Sequence, residues 1–148
     1  MRKLTKEEYI ETIHVLQKEC GRAKTGQIAG HMGVRPPSVT QMLAKLQDEG
    51  LVGYEPYLGA KLTPAGMKLA RELMARHKAI ADFLEILGID REVAEKDACA
   101  MEHHMTRESA ARLKQFVEFV QSTPREKWME RFRTYCETGE RECEVKGR

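Results

Sequence analysis

The sequence predicts a mainly α protein interrupted by one small β-hairpin. Three observations predict it. Apolar residues recur at helical spacing through most of the chain, as in Tyr9, Ile13, Leu16 and Cys20 or Val39, Met42, Leu43 and Leu46. Helix formers (Ala, Leu, Glu, Lys, Arg) abound, while aromatic residues make up 6%. Only the stretch around Leu51 to Leu62 departs from this pattern, with Gly53, Pro56 and Gly59 punctuating two short extended runs. A length of 148 residues suits one globular unit or two small ones and excludes a large multidomain enzyme.

Thr5 followed by Glu8 is a capping box and opens a helix to about residue 20, where Gly21 stops it. A short helix follows over Thr25–Met32, then a turn at Gly33. Pro36 and Pro37 fit only the first positions of a third helix, which runs to about Glu49. The hairpin comes next. Thr63-Pro64 starts a long helix to about Leu87, Asp90 one over about 91–104, Thr106 one over about 107–121, and Ser122-Thr123-Pro124 a last one ending near Gly139. Two short helices joined by a tight glycine turn and followed by a hairpin describe a winged helix-turn-helix. The expected division is residues 1–71 for that domain and 72–148 for an all-helical one.

Net charge is +2, but its distribution is uneven. From Cys20 to Gln47 there is no Asp or Glu, while Arg22, Lys24, Arg35 and Lys45 are present. A surface without carboxylates approaches a polyanion without repulsion. From Arg71 to Ala110, acids outnumber bases nine to six, which favours cations. On the third helix, Pro37, Thr40, Gln41 and Ala44 lie opposite the apolar stripe. Gln41 can pair with adenine, and Pro37 and Thr40 can meet a thymine methyl. Ser38 and the helix N-terminus suit a phosphate; Arg35, Lys45 and Lys61 are candidate phosphate contacts, with Tyr57 at the hairpin tip. The partner expected is double-stranded DNA.

In the acidic half, Cys99, Glu102 and His103 stand at i, i+3 and i+4, so a helix places them on one face, away from the apolar Val93, Ala94, Ala98 and Met101, and the stripe is not expected in the core. A thiolate, a carboxylate and an imidazole converging within one turn can hold a divalent transition metal. His77 on the long helix and Glu8 and Glu11 on the first can add donors. His104 points about 100° away from His103 and reads as a surface residue. Cys136 and Cys143 read as inert thiols. Four scattered cysteines, no apolar run long enough to span a bilayer and no secretory signal lead us to expect a reduced, cytoplasmic protein. The chain lacks a His-Glu-x-x-His motif, a glycine-rich phosphate loop and a nucleophile–base pair, so no enzyme activity is expected. The competing reading is a winged-helix regulator that responds to a small organic ligand.

Together, Glu8-Tyr9-Ile10-Glu11, Arg35 to Met42, Arg76-His77 and Asp97 to His104 resemble the diphtheria toxin repressor and manganese transport regulator family of metal-activated repressors. The resemblance runs from about Leu4 to Leu113. It implies a winged helix followed by a helical metal-binding and dimerisation domain. It also implies a homodimer that binds palindromic operators, usually of metal-uptake genes, when metal is bound. By motif, Glu8, Glu11, His77, Cys99, Glu102 and His103 fall at family ligand positions. Glu11 and His104 look like the manganese branch, and Asp97-Ala98-Cys99 like the iron branch. Fe²⁺ or Mn²⁺ is therefore expected, with Zn²⁺ or Co²⁺ open.

Overall fold

A computed structural model describes residues 4–124 and 127–141. The chain divides into two compact units between Lys78 and Ala79. The first holds α1 (Lys6–Cys20), α2 (Thr25–Met32), α3 (Pro36–Asp48), β1 (Val52–Glu55), β2 (Gly59–Leu62) and the start of α4 (Pro64–Ile86). The second holds the end of α4, α5 (Arg91–Met101), a 3₁₀ turn over Glu102–His104, α6 (Arg107–Ser122) and α7 (Lys127–Thr138). The mainly α class with a two-stranded wing is as the sequence leads one to expect.

In the first unit the expected capping box is present. The Thr5 hydroxyl accepts from the Glu8 amide at 3.2 Å, and Glu8 Oε2 accepts from the Thr5 amide at 2.7 Å. Gly33 closes α2 in the left-handed conformation, and Pro36 and Pro37 occupy the first turn of α3. Tyr9, Ile10, Ile13, Ile28, Val39, Leu43, Leu46, Val52, Leu62 and Leu73 form one buried cluster. Each fully buried Ile or Leu there contributes about 1.5–3 kcal/mol from desolvation. Cys20, expected in this stripe, is exposed at the last residue of α1, where its thiol accepts from Gln27 Nε2 at 3.6 Å.

The wing is an antiparallel pair in the register Val52↔Leu62, Gly53↔Lys61, Tyr54↔Ala60 and Glu55↔Gly59. Its inner strand gains another neighbour. Ala23, between α1 and α2, exchanges two backbone hydrogen bonds with Ala60, at 2.9 and 2.8 Å. That approach explains Gly59: its φ is +105°, and a Cβ there would sit 2.7 Å from the Ala23 carbonyl oxygen. Gly66, in the first turns of α4, lies so close to the Leu51 carbonyl that a Cβ would overlap it.

In the second unit, Ile80, Ala81, Leu84, Ala94 and Ala98 form a smaller core, with Phe83, Ile89, Met105 and Leu113 packed against it. Arg91 ties α5 to the end of α4, reaching Glu85 at 3.2 Å and Glu95 at 3.0 Å. Phe83 and Phe116 meet edge to face, with ring centroids 6.1 Å apart. The helix expected over 91–104 stops early: α5 ends at Met101, and Glu102, His103 and His104 form the 3₁₀ turn. Thr106 caps α6 by accepting from the Ser109 amide at 3.2 Å, so the chain must leave helical geometry just before it. Few residues remain for the exit, and they tighten into i→i+3 geometry.

Candidate nucleic-acid interface and metal centre

All eight residues read as contacts to DNA are exposed: Arg35, Pro37, Ser38, Thr40, Gln41, Lys45, Tyr57 and Lys61. The apolar stripe of α3 (Val39, Leu43, Leu46) is buried, so packing fixes which face of the helix is presented. Two details alter the chemistry expected there. Pro36 and Pro37 have no N–H, and the Ser38 amide already donates to the Arg35 carbonyl at 3.0 Å. A phosphate at this end would meet the Arg35 guanidinium and the Ser38 hydroxyl rather than helix amides. The Thr40 hydroxyl donates to the Pro36 carbonyl at 3.2 Å, which turns its proton away from any base edge. At the wing tip Tyr57 has φ +69°, a left-handed conformation that bulky residues rarely adopt, and its side chain is 100% exposed.

The candidate metal ligands of the first unit are Glu8 and Glu11 on α1 and His77 on α4. Glu8 has two tasks, because its Oε2 also closes the capping box. Glu11 and His77 are half-buried. Arg76 Nη1 lies 3.6 Å from Glu7 Oε2, with the Arg76 side chain largely covered. This pair pins α4 to α1 beside both His77 and Glu8, their immediate chain neighbours. Burial, and secondarily the Glu8 carboxylate, push the Tyr9 phenol above its usual range, so Tyr9 stays neutral.

In the second unit, Cys99 is exposed on α5, one turn before Glu102. Glu102 is 1% exposed, and its Oε1 lies 3.2 Å from His103 Nε2, whose side chain is equally covered. The expectation that this stripe stands outside the core therefore fails at its far end. Glu102 is buried and the His103 side chain is covered, while Val93 and Met101 are exposed. A carboxylate held this far from water is costly without a compensating positive charge. An imidazole nitrogen and a carboxylate oxygen side by side suit a borderline divalent transition metal. The donor set thus fits such an ion.

Outside these groups, His104 is exposed, as expected. Cys136 is an exposed free thiol, and Cys143 lies outside the described residues. Sequence reasoning missed the residues that hold the wing in place. Gln17 Oε1 accepts from the Leu62 amide at 2.8 Å, and Gln47 Nε2 donates to the Tyr54 carbonyl at 3.4 Å. Lys6 reaches both carboxylate oxygens of Glu49, at 2.9 and 2.8 Å. A signal existed for Gln17: it continues the spacing of Ile10 and Ile13 at a position where an apolar residue is expected.

Comparison with known proteins gives two family-model matches. Residues 3–60 match the iron dependent repressor N-terminal DNA binding domain, and residues 63–129 match the iron dependent repressor metal binding and dimerisation domain. A curated relative, the HTH-type transcriptional regulator MntR of Bacillus pumilus, is 38% identical over 117 residues, covering 79% of this chain and 81% of its own. Among solved structures, the manganese regulator SloR aligns with a TM-score of 0.66 at 30% identity, and ScaR with bound Zn²⁺ with 0.67 at 32%. These alignments cover 80% and 78% of this chain, which spans about half the length of either structure (55%).

Proposed function

The chain belongs to the iron-dependent repressor family, and on that premise we propose that it is a cytoplasmic, homodimeric repressor of metal-uptake genes that grips palindromic operators when Fe²⁺ or Mn²⁺ is bound. Zn²⁺ or Co²⁺ is the alternative ion, since intrinsic affinity for such donors rises from Mn²⁺ towards the later metals. The observation that carries the metal reading is the buried Glu102–His103 pair, one turn from the Cys99 thiol. Support for a metal as effector also comes from the solved relatives, one described as a manganese regulator and one holding Zn²⁺.

The residues that would hold the ion are Glu8, Glu11 and His77 from the first unit and Cys99, Glu102 and His103 from the second. When bound, the ion supplies positive charge to a donor set rich in carboxylate. Around it the chain's own groups act as follows. The Thr5–Glu8 box and the Glu7–Arg76 pair orient the α1 and α4 donors. The 3₁₀ turn keeps the Glu102 and His103 donors in a dry setting, where each charge interaction is strengthened. α3 and the wing present Arg35, Pro37, Ser38, Thr40, Gln41, Lys45, Tyr57 and Lys61 to duplex DNA. An ion that drew on donors of both units would restrict the arrangements each reading head samples. Metal raises DNA affinity only by its preference for the competent arrangement, and DNA must tighten metal binding by the same factor.

For the homodimer, the second unit exposes an apolar band. Phe119 is 65% exposed, Phe116 is also exposed, and a groove of about 690 Å³ runs past Phe83, Leu113 and Phe116. These residues lie inside the segment that matches the dimerisation domain.

The test is duplex binding against a panel of divalent metals in anaerobic, thiol-reducing buffer, on sequences selected from a random library. The expected result is tight binding with Fe²⁺ or Mn²⁺ and its loss with chelator. Binding indifferent to every metal and to chelator would overturn the proposal and favour an organic effector.

A further inference from the structure

Within the first unit, one strand of the wing is secured on the side away from its partner strand. β2 pairs with β1 along one edge. Its other edge meets the chain near the end of α1 through three hydrogen bonds. Two are backbone bonds between Ala23 and Ala60, and the third runs from the Leu62 amide to Gln17 Oε1 at 2.8 Å. Leu62 is itself buried, so its amide has little access to water, and losing the acceptor would leave a covered donor unsatisfied. Gln17 is half-buried in line with Ile10 and Ile13, the core stripe of α1. An apolar side chain there would fill the space but leave the Leu62 amide without its acceptor; the hydrogen bond, being directional, adds a third tie, this one directly between α1 and β2.

The same helix bears Glu8 and Glu11, and Gln17 stands about 9 Å further along its axis than Glu11. Whatever sets α1 is thereby passed to β2 and to the wing tip, where Tyr57 is fully exposed. We infer that Gln17 is a positioning residue that conveys the setting of α1 to the wing, so that the gain in DNA affinity on metal binding depends on its side-chain acceptor. The inference rests on the metal-activated reading above and adds a route for it inside the DNA-binding unit.

The test uses the full chain and three proteins: wild type, Gln17→Met (similar in shape, with no oxygen acceptor) and Gln17→Glu (acceptor retained). DNA affinity is measured with saturating Mn²⁺ and with chelator, alongside hydrogen exchange of the Leu62 amide in the wild type. In Gln17→Met the Mn²⁺-dependent gain should shrink about fivefold, the worth of one net hydrogen bond, with affinity in chelator falling clearly less than affinity in Mn²⁺. Gln17→Glu should recover most of the gain. In the wild type, Mn²⁺ should slow exchange at Leu62. Equal loss of affinity in both metal states would show a merely structural role and overturn the inference, as would an undiminished gain in Gln17→Met. If Gln17→Met fails to fold, Leu62 exchange indifferent to Mn²⁺ overturns it without any variant. A wild type that shows no metal gain with Mn²⁺, Fe²⁺, Zn²⁺ or Co²⁺ overturns the parent reading, and this inference with it.

Discussion

His103 Nε2 lies 3.2 Å from Glu102 Oε1, with both side chains almost wholly screened from water. A pair so placed holds strong donor power in little space, and substitution there should separate metal response from DNA binding. Glu102→Gln keeps the volume and removes the charge. Calorimetric titration of this variant should show metal affinity at least tenfold weaker, the scale seen even for groups that only orient ligands. Duplex affinity in chelator should be unchanged. A variant that still responds fully to metal would remove Glu102 from the proposed ligand set.

Tyr57 combines a left-handed backbone with complete exposure, so the fold itself gains nothing from its side chain. Tyr57→Gly should relieve strain and stabilise the domain by about 1 kcal/mol in urea melts. It should also weaken duplex binding about tenfold, if the phenol meets a phosphate. Opposite signs in the two measurements mark a residue retained for contact; unchanged DNA affinity would count against that role.

On the exposed face of α3, charge and base reading should come apart. Arg35→Ala and Lys45→Ala should weaken binding on all sequences and each reduce the slope of log K against log salt by about one. Gln41→Ala should leave the slope unchanged, cost about 1–3 kcal/mol and relax the preference at one base pair.

Gly66 faces the Leu51 carbonyl at a distance that excludes a methyl group. Gly66→Ala would normally favour a helix, but here it should destabilise by about 1–3 kcal/mol, because backbone must move to admit the added carbon. Equilibrium unfolding in urea gives the sign directly.

His14 is 6% exposed, and its Nδ1 has no hydrogen-bond partner. Burial first, then Lys18 and Arg71, hold its pKa below the ordinary imidazole value. The unfolded chain therefore binds this proton more readily than the folded one. The stability that neutral His14 contributes is complete above its unfolded pKa and is lost as pH falls through that value towards the lowered folded one. Melting temperature in chelator should drop on acidification from neutral pH, and His14→Gln should flatten the drop.

Much of this was legible in the sequence because it is written in local chemistry. The Thr5–Glu8 box, the paired prolines of α3 and the glycines at the turns each have a short-range physical meaning, and each is found in its expected place. The α3 face was legible for the same reason: one helical wheel decides it. The end of α5 was not, because residues 102–104 carry no helix-stopping glycine or proline, and the change to a 3₁₀ turn comes just before Thr106 caps the next helix. Nor was the second neighbour of β2, since the Ala23–Ala60 pairing leaves its trace only in Gly59, and that glycine also reads as an ordinary turn residue. The burial of Glu102 was hidden because a helical wheel cannot report what another element covers.

The double proline that opens α3 has a consequence for adaptation. A reader anchored to phosphates through its main chain inherits a fixed seat along the groove, whatever its side chains become. Here that anchorage is missing at the first two positions of the helix, so on the proposed reading the seat would fall to the side chains of Arg35 and Ser38, and replacing either should shift it.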